Sequence, residues 1–146
     1  MFYQSKEMLF FEVILEQHER VDQKFLEEVR RIEAEDFTVE KLTEVIVHFY
    51  QMIDEISIFK LLSSDEVELL AWKLPPEVLE EHLRDDRSMV DELLEIIPGR
   101  KEVDTKALSA AFRAIFFSTL HKEEIGEENY QKALYLLVYG VVKQLI

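Results

Sequence analysis

The sequence predicts an all-α bundle of about six helices in a single domain, residues 1–146, and three observations predict it. Apolar residues recur at spacings of three and four along most of the chain, the period of a helix face. Turn formers are scarce, with three glycines and three prolines in 146 residues. The charged third of the chain is spread through these periodic segments and does not collect in a low-complexity tail. A chain of this length is the size of one domain, able to bury roughly two-thirds of its unfolded surface in one core.

Ser5 can cap a first long helix, since its hydroxyl can accept from a free first-turn amide; Leu9, Val13, Phe25, Leu26, Val29 and Ile32 give that helix an apolar stripe to about Ala34. Residues 38–62 form the central element, capped by Thr38. Its apolar side chains, among them Leu42, Ile46, Phe49, Tyr50 and Ile53, point in most directions. Only Lys41, Glu44, His48, Gln51 and Glu55 share a narrow wet stripe. Such a helix needs neighbours on at least two sides. Ser63 and Glu66 have capping-box spacing for a short third helix through Trp72. Pro75-Pro76 ends it and starts a fourth, whose face is Val78, Leu79, Leu83, Val90, Leu93, Leu94 and Ile97, and which stops at Pro98-Gly99.

The last two helices differ in texture. Asp104 or Thr105 caps the first, which runs to about His121, and Gly126 breaks the chain before a final helix from Glu127 almost to Ile146. In the first of them Ala107, Ala110, Ala111, Ala114 and Ser118 build a small-residue face, while Phe112, Ile115, Phe116 and Leu120 crowd another. The final helix is apolar nearly all round and must be covered. Two such helices joined by a short loop suit a hairpin that pairs with its own copy across a two-fold axis. The expected dimer seam comprises Ala107, Ala111, Ala114, Ser118, Leu134, Val138 and Val141. The bland alternative is a hairpin that only closes the core of one chain.

Composition excludes several functions. With no cysteine there is neither a disulfide framework nor a thiolate metal site, which fits a reducing compartment such as the cytoplasm. Lys6, Glu7 and Glu12 interrupt any signal-peptide pattern. The longest late apolar stretch, 133–142, is well short of the roughly 18 to 20 residues of a membrane span. Subtracting 31 acidic from 17 basic side chains gives a net charge of −14, a surface that repels a phosphate backbone. Catalysis has no constellation behind it either. His18, His48, His82 and His121 are scattered, and no HExxH, GxSxG or phosphate-cradling glycine loop is present. No cofactor or metal is expected. His48 belongs to the wet stripe, and His18 is either a satisfied, partly buried histidine or a pocket residue.

Aromatic density is the more informative signal. Phe11, Phe49, Phe59, Trp72, Phe112 and Phe116, with Ile53, lie on helices that should converge, and they can line an apolar small-molecule cavity or fill an ordinary core. Asp54 lies off the wet stripe of its helix and Arg113 interrupts an apolar segment; they are the candidate polar anchors, and a buried carboxylate near Arg113 would be a structural pair or a ligand clamp.

The run Phe2-Tyr3-Gln4-Ser5-Lys6-Glu7-Met8-Leu9-Phe10, leading into Val13-Ile14-Leu15, resembles the junction of TetR-family transcriptional regulators between the recognition helix and the long connecting helix. Leu120-His121-Lys122-Glu123-Glu124-Ile125-Gly126 and the later Val138-Tyr139-Gly140-Val141 are similar in style to that family's last loop and helix. The resemblance implies a regulatory domain that binds a small, largely apolar effector and homodimerises through its last two helices in a four-helix seam. It also implies that the DNA-reading helix-turn-helix would precede Phe2-Tyr3, so that DNA is reached only through that N-terminal domain and this form is expected not to bind DNA by itself. The alternative, from another class, is a headless interaction module that heterodimerises with complete regulators.

Overall fold

A computed structural model describes residues 6–55, 65–66, 69 and 73–146. Among these residues the chain is all-helical, with no strand. The helices are α1 (Lys6–Arg30), α2 (Val39–Asp54), α3 (Pro76–Ile96), α4 (Thr105–Thr119), the single turn α5 (Lys122–Ile125) and α6 (Glu127–Val142). The expected short helix over 63–72, and the end of the central helix beyond Glu55, lie outside the described residues.

The helix starts follow local chemistry. Thr38 Oγ1 accepts from Lys41 N at 3.1 Å and opens α2. Asp104 Oδ1 accepts from Lys106 N at 3.0 Å and Ala107 N at 3.2 Å and opens α4; each acceptor satisfies amides that have no partner within the helix. Pro76 occupies the first turn of α3, where a missing N–H goes unnoticed. Helix α1 stops at Arg30, short of the expected Ala34, and Ala34–Asp36 makes a 3-10 turn. Gly99 and Gly126, both with positive φ, turn the chain after α3 and before α6.

Helix α2 is the centre of the packing. It lies chiefly against α1 and α6, which explains its many-sided apolarity. Leu42, Val45, Ile46, Phe49, Tyr50 and Ile53 are buried, whereas Lys41, Glu44, His48, Gln51 and Glu55 are all exposed. Thr43 is completely buried and returns its hydroxyl to Val39 O at 2.7 Å, so no polar atom is stranded there. Phe25, Leu26 and Val29 of α1 fill one side. From α6, Tyr130, Leu134, Val138 and Val142 recur every fourth residue and fill the other, with Leu145 beyond them. The loop after α3 is tied to the chain end by Lys101 N donating to Leu145 O at 2.8 Å.

This arrangement corrects part of the expected dimer seam. Leu134 and Val138 are sealed inside one chain, and neither can lose further surface to a second copy. The side of α6 that stays in solvent carries Leu136, 70% exposed, and Leu137, 49% exposed. Ala107 and Ala114 of α4 are exposed, and Ala111, Ser118 and Val141 are half-buried.

Two variants check which face of α6 is inside. Leu134→Ala removes a fully buried side chain and is expected to lower stability in urea by about 2–5 kcal/mol, whereas Leu136→Ala should change it by less than about 0.5 kcal/mol. Equal losses would contradict the burial pattern.

Candidate functional site

Three helices each turn one row of side chains toward a common space. On α1 the row is Phe11, Ile14, Leu15, His18 and Asp22; on α3 it is Leu79, His82, Leu83, Asp86, Met89 and Val90; on α4 it is Ser109, Phe112, Arg113, Phe116 and Phe117. Each row keeps the three- and four-residue step of one helix face. Phe49, Tyr50 and Ile53 at the end of α2 close the space from another side. The result is a cavity of about 170 Å³, slightly larger than an apolar cavity of about 150 Å³ able to hold benzene. Its wall is mostly apolar, with a few polar groups, the usual make-up of a small-molecule site.

The rings pack edge to face. His82 meets Phe11 with centroids 5.8 Å apart at 82°, and His18 meets Phe116 at 5.7 Å and 89°. The two imidazoles lie 6.5 Å from each other. Tyr50 donates its hydroxyl to the Phe112 carbonyl at 2.9 Å and so links α2 to α4. Burial, with the nearby Asp86 and Tyr130, pushes the Tyr50 phenol up, which keeps that donor protonated.

The polar groups collect on the α1–α3–α4 side. Burial, reinforced by His82, pushes His18 down to about 4, so it is a neutral imidazole at neutral pH. His82 Nε2 stands 3.6 Å from Asp86 Oδ2. Burial raises Asp86, against the opposing pull of His82 and Arg113. Asp22 is pushed up to about 7 by burial first, then by Asp86 and Glu19. Arg113 Nε and Ser109 Oγ are buried without a hydrogen-bond partner. Among the described residues no three His, Asp or Glu side chains are grouped to hold a metal ion.

Of the residues singled out in the sequence, Phe11, Phe49, Ile53, Phe112, Arg113 and Phe116 all line this cavity. Phe59 and Trp72 lie outside the described residues. Asp54 is displaced from its expected role: its carboxylate is paired with Lys122 of α5 and is not part of the cavity wall. The carboxylate that acts on Arg113 is Asp86 of α3 instead. Asp22, His82 and Asp86 were not foreseen. Their signal was the repeated His-x-x-x-Asp, His18 to Asp22 and His82 to Asp86, which puts both members of each pair on one helix face.

The charge on Asp22 has a consequence for stability. Its folded value, about 7, lies above the unfolded value of about 3.9, so the folded chain holds the proton more tightly. Its contribution is therefore present at low pH and is lost as pH rises through about 7. His18, lowered on folding to about 4, acts in the opposite sense and favours the folded state as pH rises from about 4 to 6.5. Asp22→Asn is expected to raise stability at about pH 8 by roughly 1–3 kcal/mol and to leave it unchanged near pH 4. Urea unfolding at the two pH values reads this, and equal effects at both would contradict it.

Compared with known proteins, the chain matches no family model, no curated protein and no solved structure.

Proposed function

We propose that the chain is the ligand-sensing and dimerisation part of a TetR-like transcriptional repressor, with the cavity as its effector site. The observation that carries the reading is the cavity itself, a mostly apolar space walled by α1, α2, α3 and α4. Its position on α1 gives the ligand something to move. The half of α1 from Phe11 to Asp22 rests on the cavity, whereas Phe25, Leu26 and Val29 are anchored in solid core. In the family that the sequence resembles, the corresponding helix leads to the DNA-reading head. A ligand that fits one tilt of α1 better than another would bias that tilt, and only such a difference in affinity can transmit a signal.

Dimerisation is the second half of the reading. What supports it is the apolar surface left on α4 and α6: Leu136, Leu137 and Phe117 are large and exposed, and the small Ala107 and Ala114 of α4 are exposed too. These positions replace Leu134 and Val138 in the proposed seam, and Ala111, Ser118 and Val141 lie at its edge. A small-residue face lets a partner helix approach closely, and the leucines supply the apolar area.

Indole is a suitable test ligand, since it has the size and polarity of the cavity. It is expected to raise the melting temperature of the chain, and Ile14→Trp, which fills the space, should abolish the rise. No effect on the unaltered chain would count against the effector site. Sedimentation should give twice the 17.4 kDa chain mass for the unaltered protein and the single mass for Leu136→Glu, with helicity unchanged. A monomer at every concentration would remove the dimer from the proposal.

A further inference from the structure

We propose that the effector taken by this cavity is a small amphiphilic cation, an apolar ring or short chain carrying one protonated nitrogen, seated with the nitrogen against the Asp22 carboxylate. The inference rests on the ligand-sensing reading and names its ligand class.

The charges around the cavity are unevenly matched. Asp86 has two partners of opposite or potentially opposite charge, His82 on its own helix and Arg113 across on α4. Asp22 has none. The charged groups that act on it are Asp86 from α3 and Glu19 from α1, both of its own sign. The other titratable groups that line the cavity from α1 and α2 are the neutral His18 imidazole and the Tyr50 hydroxyl, which is already committed to the Phe112 carbonyl. With both aspartates ionised, the described residues of the wall carry two negative charges against the single permanent positive charge of Arg113. The missing charge is positive, and it is missing at Asp22.

A protonated amine supplies it. Its attraction to Asp22 acts in a mostly apolar surround, where a charge pair is screened far less than in water, while its ring fills the space between Phe11, Phe112 and Phe116. An anionic ligand meets the opposite situation: Arg113 already faces Asp86, and a further negative charge would add to the repulsion at Asp22. The unpartnered Nε of Arg113 needs an acceptor, and that can be an uncharged oxygen or a ring face. Because burial and its acidic neighbours let Asp22 hold its proton to about 7, cation binding is tied to release of that proton. The amine itself stays protonated over this range, with a value near that of lysine, about 10.4.

Three molecules of one shape and different charge test this on the intact chain by calorimetry: phenethylamine, phenethyl alcohol and phenylpropionate. Phenethylamine is expected to bind at least about tenfold more tightly than the alcohol at pH 8, and phenylpropionate more weakly than either. The amine affinity should rise about tenfold between pH 6 and pH 8, following the ionised fraction of Asp22, while that of the alcohol stays flat. Asp22→Asn should remove both the pH dependence and the preference for the amine. The unaltered chain already reads the pH dependence should that variant prove poorly folded. Tightest binding of phenylpropionate, or equal binding of amine and alcohol at pH 8, overturns the cation assignment and leaves the effector site standing. Binding of none of the three overturns both.

Discussion

The burial of α2 between α1 and α6 is the constraint on which the rest depends. Its first half, from Leu42 to Ile46, belongs to one buried cluster with Phe25, Leu26 and Val29 of α1 and the every-fourth-residue row of α6, and Phe25 also meets Phe49 with ring centroids 4.8 Å apart. Thr43 can sit at the centre only because its hydroxyl bonds back to its own helix. The second half of α2 is closed differently. Phe49, Tyr50 and Ile53 face a space that α1, α3 and α4 surround without filling. One long helix therefore serves two environments: a dry core that fixes the bundle, and a cavity wall held in place by that core.

A stranded buried polar group costs about 1–3 kcal/mol. Two such groups lie away from the cavity, Gln17 Oε1 and the Tyr130 hydroxyl in the α6 row, and two lie on its wall. Ser109 Oγ and Arg113 Nε are buried without partners, and Asp22 keeps a carboxyl among neighbours of its own sign. Groups of this kind lower stability unless something else meets them, and functional sites are where such costs are tolerated. The packing of Leu134 and Val138 into the core bears on assembly in a related way, because it leaves Leu136 and Leu137 as the apolar positions that face outward on α6.

Much of the fold could be read from the sequence because its signals were local. Thr38, Asp104 and Pro76 act within one turn, and the wet stripe of α2 is a matter of spacing along a single helix. The convergence of Phe11, Phe49, Phe112 and Phe116 on one space followed from the same periodicity. Partner choice was not legible in this way. Asp54 lies off the wet stripe and Arg113 interrupts an apolar segment, but whether they meet depends on how α2 and α4 are rotated, and Lys122 reaches Asp54 first. Likewise α6 is apolar nearly all round from Ala133 on, so its sequence alone does not say which side meets α2. The His-x-x-x-Asp repeat was visible, but each copy alone reads as an ordinary solvated pair; it gains meaning only when α1 and α3 bring the two copies to one cavity.

The cavity holds one carboxyl, that of Asp22, with no counter-charge among the described residues. A carbon-detected NMR titration of the Asp22 carboxyl in the intact chain tests it most directly. A midpoint of about 7 is the predicted result, moving downward when a cationic ligand is bound. A midpoint at the ordinary carboxylate value of about 3.9 would mean that Asp22 is solvated or already paired, and would contradict the account.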